Sequence, residues 1–169
     1  SSKSLLEGLI SSFNPDVVLH FAALSITSDS FGSEELYEST NVSFTKIVAE
    51  TFLERGIPVV FASSAAVYDP RRFSGKGFSE VDPICPISPY GQTKANAEKI
   101  IGEIAKRESV PSVCLRFFNA AGAIPEFEVG EFHNPETHLI PTLVRASICG
   151  HRKIAVYGND FATPDGTAI

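Results

Sequence analysis

Three short apolar runs limit what this chain can fold into: residues 16–21 (DVVLHF), 57–62 (IPVVFA) and 112–117 (SVCLRF). Each has strand length and lacks the strict polar alternation of a half-exposed strand, so each predicts a strand covered on both faces. Pro58 fits only the first residues of such a strand. A helical pattern precedes every run. Leu5, Leu6, Leu9, Ile10 and Phe13 recur at helical spacing until Asn14-Pro15 stops them. A second helix fits residues 34–55 and ends at Gly56, a favourable residue just past a helix. A third starts at Ser88-Pro89, with Ser88 as cap and Pro89 in the first turn, and runs to about Arg107. Three helix–strand units in succession predict an α/β fold with a parallel sheet and helices on both faces.

Past Asn119 the pattern changes to loops, a helix near residues 139–149 and a short strand at 154–157. The expected division is therefore 1–118 for the α/β domain and 119–169 for a second region. The long polar stretch between Ser64 and Ser88, rich in Pro and Gly, reads as a functional loop.

Charge and cysteine content exclude several classes of function. The 169 residues carry a net charge of −6, and the basic residues cluster only at Arg71-Arg72 and His151-Arg152-Lys153. Nucleic acid is not an expected partner. No run of apolar residues is long enough to span a membrane, and no signal-peptide pattern opens the chain. Three cysteines, far apart in sequence, write neither a disulfide framework nor a zinc site, and a reduced cytoplasm is the expected home. His133 and His138, with no cysteine nearby, read as surface or substrate contacts, and no metal is expected.

The chemistry concentrates between Ser63 and Lys94. Tyr90 and Lys94 stand four residues apart on the third helix and so share one face. A phenol titrating near ~10 is a poor base at neutral pH, but an ammonium beside it favours the phenolate. Ser64, at the exit of the second strand, offers a neutral hydroxyl for the same substrate oxygen. The trio suits taking a proton from an alcohol while its carbon loses a hydride. In open α/β sheets ligands lie beyond the carboxyl ends of the strands, where Ala22-Ala23, Ser63-Ser64 and Phe118-Asn119 all fall. Alone, the Tyr–Lys spacing is a weak motif; its place at the strand exits gives it weight. By the same pattern His20 reads as a hydrogen-bonded core histidine, Asn41 as a solvated helix residue unless the sheet edge lies beside it, and Phe117 and Phe118 as core or as cofactor wall.

At these residues the chain resembles the extended short-chain dehydrogenase/reductase family, and within it the UDP-glucose 4-epimerases. The resemblance is carried by His20-Phe21-Ala22-Ala23, Asn41-Val42, Ser63-Ser64-Ala65-Ala66-Val67-Tyr68, Ser88-Pro89-Tyr90-Gly91-Gln92-Thr93-Lys94 and Arg116-Phe117-Phe118-Asn119. It continues through Thr137-His138-Leu139-Ile140-Pro141 and Tyr157-Gly158-Asn159-Asp160. It implies a partial Rossmann-type, doubly wound parallel sheet followed by the beginning of a small substrate-binding region. It implies NAD as cofactor, a UDP-sugar as substrate, a homodimer, and interconversion of UDP-glucose and UDP-galactose through a 4-keto sugar. Carried over residue by residue, it makes Tyr90 the acid/base, Lys94 its partner and the holder of the nicotinamide ribose, and Ser64 the ligand of the sugar 4-oxygen. Phe21, Ala22, Ala23, Asn41, Ser63 and Phe118 would line the cofactor together with Tyr90 and Lys94. Asn119, His138, Leu139, Ala155 and Tyr157 would face the UDP-sugar.

The departures are Ser25 for a frequent lysine, Asp69 for the usual glycine and Phe117 for a frequent tyrosine. No Gly-x-Gly-x-x-Gly or Gly-x-x-Gly-x-x-Gly occurs, so the pyrophosphate cradle of the family is not in this sequence. The resemblance thus implies a piece of an epimerase, beginning inside the fold, which alone would neither turn over sugars nor hold NAD tightly. Two rivals stand beside it. A nucleotide-sugar dehydratase or decarboxylase would place an acidic residue just after the active-site hydroxyl, where this chain has Ala65 and Ala66. An inert fragment would keep the fold without the activity.

Overall fold

The computed structural model describes residues 2–72, 77–130, 133, 136–150, 153 and 155. Two compact units divide the chain, Ser1–Phe118 and Asn119–Ile169.

The first unit is built on a three-stranded parallel sheet in the order β1-β2-β3, with β1 Val18–His20, β2 Val59–Ser64 and β3 Ser112–Phe117. Its helices are α1 (Ser2–Phe13), a segment beginning with the single turn α2 (Glu34–Tyr37) and closing with α3 (Phe44–Leu53), and α4 (Pro89–Glu108). Between α2 and α3 the chain winds as a π-helix over Glu38–Ser43, a form that often marks functional sites. The expected single helix over 34–55 is thus one path with a wide turn in its middle.

Register shows which strand residues meet. His20, Phe61 and Cys114 stand in line across the sheet, with Val18, Val59 and Ser112 in the row before them. These point to the helical side, because successive strand residues alternate between faces. Phe61 and Val59 join Val48, Ala49, Phe52 and Leu53 of α3 and Ala97, Ile101, Ile104 and Ala105 of α4 in one buried cluster, and Leu6 and Ile10 of α1 pack against it. The opposite face differs from expectation. Leu19 is 62% exposed and Val113 49%, and Leu115 and Phe117 are exposed as well. The apolar runs do carry a second hydrophobic face, but α1, α3 and α4 of this unit all pack on the other side. Phe117 and Phe118 are both outside the core.

α4 begins as its sequence demands. Ser88 is extended and its Oγ accepts the Gly91 N–H at 3.1 Å, with Pro89 in the first turn. The helix ends at Ser109, which adopts the left-handed conformation. Its entry is tight against the 3-10 turn Ala65–Val67 that follows β2. Several described residues between Ser64 and Ser88 are fastened to the fold: Val67, Tyr68 and Asp69 are buried, Tyr68 stacks on Phe78 at 4.8 Å, and the Cys85 N–H donates to the Val67 carbonyl.

The second unit contains a small antiparallel pair, β4 (Ala123–Ile124) and β5 (Val129–Gly130), and the helix α5 (Leu139–Ile148). The two-residue strands have no sequence signature of their own. The strand expected at 154–157 and the Tyr157-Gly158-Asn159-Asp160 segment lie outside the described residues, Ala155 excepted. Among the described residues no helix is long and apolar enough to cross a membrane.

Gly91 gives the fold its sharpest steric test. A Cβ there would stand 2.2 Å from the Ala66 carbonyl oxygen and 3.0 Å from its carbon, both backbone atoms. Gly91→Ala must push α4 off the 65–67 turn, at an expected loss of about 2–3 kcal/mol. Urea unfolding measures it; a midpoint unchanged from the parent would show that the turn yields freely.

Candidate active site

Three successive residues of β2 reach α4. The Ala62 carbonyl accepts from Lys94 Nζ at 2.8 Å, the Ser63 hydroxyl donates to the Glu98 carboxylate, and the Ser64 side chain acts on the Tyr90 phenol, pulling it down. Tyr90, Lys94 and Glu98 lie at i, i+4 and i+8, one stripe of the helix. The expected grouping of Ser64, Tyr90 and Lys94 is therefore present, at the exit of a parallel strand. Tyr90 is 8% exposed and Lys94 3%. The Ser64 Oγ also accepts the Ala66 N–H at 3.2 Å, which fixes the hydroxyl at the mouth of the turn.

The electrostatics correct one expectation. Burial holds the Tyr90 phenol above its ordinary range, and the Ser64 side chain pulls it down in part. Lys94 sits 5.8 Å from the centre of the Tyr90 ring and 4.8 Å from that of Phe61, with its ammonium engaged by the Ala62 carbonyl. Burial also lowers Lys94 to about 8. Low-dielectric surroundings thus act on both groups toward their neutral forms.

Around this centre the chain is fastened by polar side chains. Tyr37 meets the Tyr90 ring edge-on at 6.4 Å, and its hydroxyl donates to the Ile26 carbonyl. The Tyr90 N–H donates to the fully buried Ser30 hydroxyl. Asn41 corrects the reading of a solvated residue. It is 1% exposed, its Oδ1 accepts the Leu24 N–H at 2.8 Å, and its Nδ2 donates to the Leu24 carbonyl and to Thr93 Oγ1. The π-turn aims it inward, a geometry that helical spacing cannot reveal. Asn41 thus pins the segment just past β1, where Ala22 and Ala23 leave backbone without bulk.

Phe21 is 57% exposed with its ring 6.2 Å from that of Phe117, and Phe118 is 55% exposed. Ser63 is buried, its hydroxyl directed to Glu98 rather than outward. In the second unit, Asn119, Leu139 and Ala155 are exposed, and His138 caps α5 without a side-chain cap bond. Tyr157 lies outside the described residues. His133, Glu136 and His138 each offer a possible metal-ligand atom within 4.8 Å of the others, and the His138 N–H donates to Glu136 Oε1 at 2.9 Å. That bond holds the Glu136 carboxyl below its usual range. The two imidazoles meet edge to face at 4.6 Å, a grouping that their spacing did not suggest.

Four likenesses to known proteins bear on this geometry. The model of the NAD dependent epimerase/dehydratase family matches residues 1–169. The chain is 36% identical to a UDP-glucose 4-epimerase of Halalkalibacterium halodurans over 167 residues, covering 98% of this chain and 49% of the relative. A crystal structure of UDP-glucose 4-epimerase from Brucella ovis in complex with NAD superposes with a TM-score of 0.86 at 35% identity, covering 97% of this chain and 50% of that one. The Bifidobacterium longum UDP-glucose 4-epimerase in complex with NAD+ and UDP gives 0.84 at 28% identity over 98% of this chain and 50% of that one. The chain spans about half the length of the relatives it matches.

His20, expected as a core histidine, is one: it is 5% exposed, and its Nε2 lies 2.8 Å from Thr45 Oγ1. Burial first, and the Lys94 charge second, lower it from 6.5 to about 4. Between these values the unfolded chain holds the extra proton, so stability rises with pH across the window and is lost as acid is added through it. At its steepest the dependence approaches about 1.4 kcal/mol per pH unit for one proton. Urea midpoints between pH 4 and 6.5 should flatten in His20→Asn; an equally steep dependence in the variant would assign it elsewhere.

Proposed function

This chain belongs to the NAD dependent epimerase/dehydratase family, and from that premise we propose that it is part of an enzyme interconverting UDP-glucose and UDP-galactose by 4-epimerisation. The observation that carries the reading is the gathering of Ser64, Tyr90 and Lys94 at the exit of β2, with Lys94 held by the Ala62 carbonyl and the Ser64 side chain acting on the Tyr90 phenol. Relatives named UDP-glucose 4-epimerase support the substrate class, as does the solved relative holding NAD+ and UDP.

The described residues fit the nicotinamide half of NAD. An ammonium has three N–H donors, and Lys94 spends one on Ala62, which leaves two for ribose hydroxyls. Ala22 and Ala23 open the strand exit, and Asn41 holds the adjoining backbone in place. NAD, when bound, supplies the acceptor for the C4 hydride and its return.

The rest is the work of side chains. Ser64 holds the sugar 4-oxygen by its hydroxyl. Tyr90 takes the proton from that oxygen as the 4-keto sugar forms, and gives it back when the opposite face is reduced. Because burial raises the phenol, its neutral form is the resting one and the phenolate needs a countercharge. Lys94 provides it from within the same pocket. The residues facing the UDP-sugar would be Asn119, His138, Leu139, Ala155 and Tyr157. Pairing of two copies belongs to the same proposal.

In the holoenzyme carrying this chain, Tyr90→Phe should leave the fold intact and lower kcat by about a thousandfold or more, the scale of acid–base catalysis. Steady-state conversion of UDP-galactose to UDP-glucose measures it, and activity within about tenfold of the parent would sink the Tyr90 assignment. Lys94→Met should cost a similar factor and move the acidic limb of the pH profile upward, since the phenolate then lacks its ammonium countercharge. The parent should lose its ammonium as pH rises through about 8, so its alkaline decline should vanish from the residual activity of that variant.

A further inference from the structure

Glu98 and Arg116 form an ion pair that the proposed reaction does not use. The Arg116 fork meets the Glu98 carboxylate twice, Nη2 to Oε2 at 2.8 Å and Nε to Oε1 at 3.0 Å. The side chains are 8% exposed for Glu98 and 18% for Arg116. Arg116 Nη1 also donates to the Tyr68 hydroxyl at 2.6 Å and to the Glu80 carbonyl at 3.2 Å. Its guanidinium lies 5.1 Å from the centre of the Tyr68 ring. One planar cation therefore joins β3, α4 and the loop between β2 and α4.

A pair this buried is weak evidence of stabilisation, because desolvating both charges offsets most of their attraction. It lies beside the apolar cluster and not within it. What it does determine is geometry. The Ser63 hydroxyl donates to the same Glu98 carboxylate, and Ser63 stands between Ala62, which receives Lys94, and Ser64, which meets Tyr90. Ser63 and Arg116 are also direct partners in the β2–β3 register.

We infer that Glu98 and Arg116 are positioning residues: through Ser63 they lock β2 onto α4, and so set the spacing of Ser64, Tyr90 and Lys94. This rests on the function proposed above. Releasing the Glu98 end lets α4 shift or rotate against the strand. Ser64 and Tyr90 then move apart, and the influence of the Ser64 side chain that lowers the phenol weakens.

The test uses the holoenzyme carrying this chain, with Glu98→Gln, Arg116→Lys and Ser63→Ala, and reads two quantities. Glu98→Gln should lower kcat by about tenfold or more with KM for UDP-galactose within about threefold, and raise the acidic limb of the kcat profile by about half a pH unit. Arg116→Lys, which keeps the charge but not the fork, should fall between Glu98→Gln and the parent. The second readout needs no turnover: the phenolate absorbance that Tyr90→Phe removes should titrate at higher pH in Glu98→Gln. Ser63→Ala removes one hydrogen bond and keeps the ion pair, so it should shift the same limb by less, and it serves if Glu98→Gln does not fold. An unmoved limb, or a loss of activity that only tracks the folded fraction, overturns the inference while leaving Tyr90 in its role. Full activity in Tyr90→Phe overturns both.

Discussion

A lysine ammonium almost wholly removed from water is the constraint around which this structure is arranged. Lys94 is 3% exposed, and a buried cation persists only where oxygen atoms or opposite charge receive it. The Ala62 carbonyl does so at 2.8 Å. That acceptor is a strand carbonyl next to the end of β2, so α4 must approach the strand closely there. The approach explains why residue 91 has no side chain, with Ala66 lying where a Cβ would go. It explains as well why the neighbouring histidine stays neutral. His20 feels both burial and the Lys94 charge, and its hydrogen bond to Thr45 does not require a proton on both ring nitrogens.

Much of this was legible beforehand because it rests on local pattern. The three apolar runs became three parallel strands in sequence order, and Ser88-Pro89 began α4 as a cap and first-turn residue do. The Tyr90–Lys94 spacing put both on one face because a helix leaves no alternative. What the sequence concealed depends on partners distant along the chain. Asn41 looked solvated because a helical reading assumes 3.6 residues per turn, and the π-helix changes its direction. Glu98 and Arg116, 18 residues apart, carry no spacing signal; only the β2–β3 register and the length of α4 bring them together.

The sheet shows the same limit from the other side. An apolar run of six residues says that both faces avoid water, but not which element covers either. Here α1, α3 and α4 share the face of Phe61, while Leu19, Val113 and Leu115 look away from them. Alternation along β3 is therefore visible in exposure and almost invisible in composition, since both of its faces contain apolar residues.

Motif residues in this chain divide by what their atoms already hold. Asn41 has given Oδ1 and both observed Nδ2 bonds to Leu24 and Thr93, and Ser63 has given its hydroxyl to Glu98. Neither needs a ligand to be satisfied, although the family resemblance places both along the cofactor. Their contribution is to the shape of the backbone that a cofactor would meet. Ser64, Tyr90 and Lys94 differ: each keeps hydrogen-bonding capacity after its protein contacts are made, since a hydroxyl has a donor and two lone pairs and an ammonium three donors. Retained capacity, more than membership of a motif, separates groups that can act on a substrate from those that hold them in place. By that measure the proposed chemistry narrows to three side chains on one strand and one helix, while Asn41 and Ser63 are spent on protein partners.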